Sequence, residues 1–146
     1  MIEAYAGMAL GVLAGMLVGA LAVWLARRFK IERRVYSLSL ISLPAFYIFF
    51  ALRIGDENTA FIEFFYGMLY LAAGLIFAVS RLKFSTYVLA ALWLLHAVYD
   101  VMHGYLVQNL GVPGWYPSFC AAVDTVIGLY LIWLARRLPE GDILKT

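Results

Sequence analysis

The sequence predicts an all-α integral membrane bundle of five transmembrane helices, on three observations. Of the 146 residues, 65% are hydrophobic and only 14% are charged, against roughly half and a quarter in an ordinary soluble domain. Mean hydropathy is +0.89. The apolar residues fall into five runs, each near the roughly 20 residues that cross about 30 Å of hydrocarbon.

The first run, about residues 4–26, carries Gly7, Gly11, Gly15 and Gly19. Small residues four apart let two helix backbones approach closely in lipid. The pattern predicts a packing helix and leaves open whether its partner lies in the same chain or in a second copy, so a homo-oligomer through these glycines is one expectation. The run is too long for a signal-peptide core, has no basic segment before it and has its basic residues after it, which argues against cleavage. The second run, 35–54, contains Pro44, the aromatic segment AFYIFF and a terminal Arg53. The third, 59–80, contains Glu63 and Tyr66 in FIEFFYGMLY. The fourth, 84–108, contains LWLLHAVYDVMHG, and the fifth, 117–136, contains Cys120 and Asp124. Short connections make neighbours antiparallel. Residues 1–146 read as one transmembrane domain, with no linker or low-complexity segment.

The loop charges are one-sided. Arg27, Arg28, Lys30, Arg33 and Arg34 follow the first run, Arg81 and Lys83 the third, and Arg136, Arg137 and Lys145 the fifth, while only Arg53 sits at the other end. The positive-inside rule then predicts an outer N-terminus and a cytoplasmic C-terminus, in a bacterial or archaeal cytoplasmic membrane. The net charge of +2 gives no reason to expect nucleic acid. The single cysteine, Cys120, excludes an intrachain disulfide.

Both histidines lie in the fourth run. His96, Asp100 and His103 stand at i, i+4 and i+7, within an arc of roughly 60° on one helix face. Ionisable groups in hydrocarbon are costly and mark functional sites by default. With the predicted orientation, Asp124 lies about 10 Å below the outer surface, near the depth of Asp100, and Glu63 about one turn below its helix end. The ionisable residues thus share the outer half. Two imidazoles and a carboxylate suit zinc, iron, manganese or copper, and Asp124 adds a fourth ligand from a facing helix. Glu63 or Asp124 would act as general base, while Arg53, Tyr66 and Tyr99 would contact substrate, with Arg53 also the expected ion-pair partner of Glu63. Cys120, one turn before Asp124, reads as a small buried hydrophobe ahead of a thiolate ligand. Against the metal stand a metal-free His/Asp relay and a polar cluster that fixes helix packing. The uncharged loop QNLGVPGWYPS reads as a rigid interfacial lid or an ordinary interfacial turn.

Trp93-Leu94-Leu95-His96, Tyr99-Asp100 and His103, followed by Cys120-Ala121 and Asp124, resemble a family of small bacterial integral membrane proteins known only as a domain of unknown function. The likeness covers about residues 93–131 and implies that these residues form one site. It implies no activity.

There is no phosphate-cradling glycine loop, no G-x-S-x-G, no H-E-x-x-H and no mid-membrane lysine. The function predicted is a metal-dependent intramembrane enzyme acting on a lipidic or amphipathic substrate from the outer half of the membrane. It would be a hydrolase through metal-activated water, or an oxidoreductase if the metal is iron or copper. The alternatives are a small proton or metal-ion transporter using the same cluster, and a non-catalytic assembly subunit.

Overall fold

The computed structural model describes residues 2–79 and 85–137. Arg81, Lys83 and Lys145 of the charge pattern lie outside them. The described chain is all-helical: α1 (Ile2–Phe29), α2 (Glu32–Arg53), α3 (Glu57–Val79), α4 (Ser85–Leu106) and α5 (Tyr116–Arg137). Four helices are long and apolar enough to cross a membrane: Tyr5–Phe29, Arg34–Arg53, Glu57–Phe77 and Tyr116–Arg137. The 22 residues of α4 match α2 and α5 in length. Its hydropathy is lowered by His96, Asp100 and His103, all of which are buried, while its outer face of Leu95, Val98, Val101 and Met102 is apolar and exposed. An apolar outside around a polar inside is the pattern a lipid solvent selects.

Glycines set the helix spacing. A Cβ on Gly11 would stand 2.6 Å from the Trp115 carbonyl oxygen, and one on Gly19 3.0 Å from Val126 Cβ; one on Gly15 would overlap the Phe119 carbonyl. The glycine stripe of α1 therefore seats α5 of the same chain, running parallel to it. Gly7 has nothing near it. Because α5 occupies Gly11, Gly15 and Gly19, self-association would have to use another face. Gly128 receives Leu94, closing α4 on α5, and Gly67 receives the ring of Pro44, closing α3 on α2. The helix α2 continues unbroken through Pro44.

These contacts make two layers, α1–α5–α4 and the α2–α3 hairpin, with close backbone packing within each and less between them. Large side chains fill the wider gap. Toward the basic end it is closed by Tyr36, Leu40, Trp93, Ile127 and Leu131, with Tyr36 edge-on to Trp93 at 6.2 Å. Toward the other end it holds the ionisable residues.

The α2–α3 turn is fixed by backbone chemistry. The Gly55 amide donates to Leu52 and the Asp56 amide to Ala51, a Schellman closure that needs the left-handed residue Gly55 supplies at φ +76°. Asp56 then caps α3, accepting the Thr59 amide at 2.9 Å and the Thr59 hydroxyl at 2.7 Å. Those two bonds hold the Asp56 carboxyl below its ordinary value of 3.8. A group with a depressed folded-state value stabilises above its unfolded value, and the contribution is lost as pH falls through the folded value. Asp56→Ala is therefore expected to lower the unfolding temperature at pH 7. The difference from the parent should disappear in thermal scans below the ordinary carboxylate range; a difference that persists unchanged there rules out the charged cap.

Candidate functional site

Helix α4 supplies His96, Asp100 and His103 to the gap between the layers, and each is no more than 2% exposed. They share a face, but a rise of 1.5 Å per residue sets His103 roughly 10 Å beyond His96 along the axis. The three consequently meet different partners.

The first group forms where α4 faces α5. His96 Nδ1 lies 2.6 Å from Asp124 Oδ2 and 3.4 Å from Asp100 Oδ2. Asp100 Oδ1 accepts the Tyr47 hydroxyl at 2.8 Å, while Asp100 Oδ2 is buried with no hydrogen-bond partner. The Tyr70 ring stands edge-on to the His96 imidazole at 4.6 Å. One donor atom each from His96, Asp100 and Asp124 lies within 4.8 Å of the others, so this group could hold a metal ion. Donors about 2.1 Å from a tetrahedral ion stand roughly 3.4 Å apart. The His96–Asp100 separation already fits, whereas the His96–Asp124 contact is a hydrogen bond and would open by under an ångström.

The second group forms where α4 faces α3. His103 Nε2 lies 2.8 Å from Glu63 Oε1. Tyr99 donates to Glu63 Oε2 at 2.8 Å, and Asn109 Nδ2 donates to Oε1 at 2.9 Å. The α4–α5 loop is drawn over this group. Asn109 also donates to the Tyr47 carbonyl, the Gly111 amide donates back to Asn109 Oδ1, and a Cβ on Gly111 would overlap the Phe50 carbonyl. The two groups are joined by Tyr47, whose hydroxyl reaches Asp100 while its ring stacks on His103 at 4.0 Å.

The structure thus brings together Glu63, His96, Tyr99, Asp100, His103 and Asp124, but divides the expected four-ligand set. His103 faces Glu63 and stands apart from the three-residue group because the helix rise carries it past Asp124. Cys120 is buried against Tyr47 and Tyr116 and is likewise outside that group. Arg53 is exposed at the end of α2, and Glu63 turns inward to His103 instead of toward it. Tyr66 is 43% exposed, with its ring 5.9 Å from Tyr99. Between the groups lies a gap of about 10 Å³, bordered by Tyr47, Glu63, Tyr66, Tyr70, His96 and Tyr99. That is roughly the space of one water molecule. Sequence reasoning did not single out Tyr47, Tyr70 or Asn109, although each is a polar-tipped residue in an otherwise apolar or uncharged segment.

No family model, no curated protein and no solved structure matches the chain.

Proposed function

We propose that the chain is a membrane-embedded, metal-dependent hydrolase acting on a lipidic or amphipathic ester, amide or phosphoester. The observation that carries this reading is Asp100 Oδ2, a buried carboxylate oxygen without a hydrogen-bond partner, 3.4 Å from the His96 imidazole and beside a second carboxylate. An unsatisfied buried acceptor is costly. Were both carboxylates ionised, a divalent cation would balance them, which a single imidazolium cannot do. Three protein ligands leave a coordination position open, as in catalytic and not structural metal sites. A bound divalent ion would supply Lewis acidity to the substrate oxygen and to water.

The chain's own residues take the remaining roles. Tyr47 orients Asp100 through its hydroxyl, and Tyr99, Asn109 and His103 orient Glu63. Glu63 borders the water-sized gap, where its carboxylate would take a proton from the attacking water and return it to the leaving group. Arg53 and Tyr66 are left as contacts for substrate at the periphery. The positive-inside pattern favours an outer N-terminus and places this site in the outer half of the membrane.

Transport is disfavoured by the packed core of Leu40, Trp93, Ile127 and Leu131, which fills the gap on the basic side. Elemental analysis of protein purified in mild detergent without chelator tests the proposal. About one divalent ion per chain is expected, together with chelator-sensitive hydrolysis of a micellar phospholipid that returns on adding the metal. Metal no higher than in Asp124→Asn, with hydrolysis unaffected by chelator, would refute it.

A further inference from the structure

Away from the proposed metal centre, the basic end of the bundle gathers three arginines, two of them against one ring. The Arg27 guanidinium lies 5.2 Å from the Trp133 ring and 5.9 Å from the Tyr130 ring, and the Arg137 guanidinium lies 4.7 Å from Trp133. Arg28 adjoins them on α1. Among the described residues no carboxylate forms a salt bridge with any of the three, and the nearby Glu32 accepts the Tyr130 hydroxyl. Cation–π contact holds the Arg27 and Arg137 guanidinia in place and adds no full negative charge to the cluster. A shallow, open cleft lies along one face of α1 beside Arg27, lined by Ala20, Val23, Trp24, Arg27 and Arg28. Spacings of three and four put these five residues on one side of α1. The cleft runs about 10 Å from Arg27 to Ala20, toward the middle of the span.

We infer that this cleft is a binding site for an anionic phospholipid, with its phosphate on Arg27 and Arg28 and its acyl chain along Trp24, Val23 and Ala20. Guanidinium forks match phosphate oxygens in a bidentate manner, and the phosphate supplies negative charge to a basic cluster. The apolar extension selects a lipid over a soluble anion, since a free phosphate has nothing to gain from Ala20 or Val23. The exposed indole of Trp24 lies at the level where headgroup and chain meet.

The test is lipid retention by the full chain in detergent, read by native mass spectrometry, with phosphatidylglycerol or phosphatidylcholine added. Retention of phosphatidylglycerol in preference to phosphatidylcholine is expected. At about 1 kcal/mol per basic residue, Arg27→Gln with Arg28→Gln should weaken it by roughly twenty- to thirtyfold. Arg28→Gln alone leaves the Arg27–Trp133 packing intact and should weaken it by roughly fivefold. Arg34→Gln, an exposed residue at the same end, should leave retention within twofold or so, because general surface attraction is shared over all the basic residues. Equal retention of the two lipids, an equal loss in Arg34→Gln, or displacement of the lipid by millimolar inorganic phosphate would each overturn the inference.

Discussion

Asp100→Asn is expected to abolish metal binding while His103→Ala retains it, and that contrast separates the site seen in the structure from the one read off the helix face. Asp100 contributes a buried carboxylate oxygen that has no hydrogen-bond partner, whereas His103 is already engaged by Glu63 at 2.8 Å. Removing a supporting hydrogen bond to a ligand typically costs 10–100-fold in affinity. Tyr47→Phe, which strips the hydroxyl from Asp100 Oδ1, should fall in that range. Asp100→Asn, which removes a proposed ligand itself, should exceed about a hundredfold. His103→Ala should stay within roughly tenfold, since its effect passes only through the stacked Tyr47 ring. Competition against a chromophoric chelator measures all three. If His103→Ala loses metal as completely as Asp100→Asn, the ligand set includes His103 and the bundle rearranges to bind.

Periodicity carried the reading of the fold and failed at the ligands for the same physical reason. Hydropathy reports what lipid sees, so all five helices were legible within a few residues, α4 included despite its three buried polar groups. An angular argument reports only the face, so His96, Asp100 and His103 could be placed together, but their spread along the axis had no partner until α3 and α5 were docked. Which way Glu63 turned was equally invisible. Arg53 is near it in sequence, yet the inward register of α3 pairs it with His103. The glycine stripe announced close packing without naming α5, because a Cβ-free surface is the same whichever helix it receives. Tyr47 and Asn109 left the weakest trace: a tyrosine among phenylalanines and an asparagine in an uncharged loop acquire meaning only once Asp100 and Glu63 are found beside them.

Glu63→Ala is expected to produce the largest loss of stability of any single substitution in the cluster. Both Glu63 oxygens are used, by His103 and Asn109 on one side and Tyr99 on the other. The substitution therefore takes a partner from buried His103 and Asn109 and from the half-buried Tyr99 hydroxyl at once. Each buried polar group left without its partner costs about 1–3 kcal/mol, and at this chain length the combined loss corresponds to a fall of roughly 10 °C in unfolding temperature. Glu63→Gln keeps an acceptor for one or two of the donors and should lose less than half as much. Asn109→Ala removes the loop's ties to Tyr47 and Glu63 and the Oδ1 that accepts the Gly111 amide. It should leave the thermal midpoint nearly in place while making residues 107–115 susceptible to limited proteolysis. Both measurements use detergent-purified protein and need no substrate, so they probe this half of the cluster independently of the metal. Equal midpoints for Glu63→Ala and Glu63→Gln would mean that the carboxylate organises nothing around it, and would remove the structural basis for assigning Glu63 as the base.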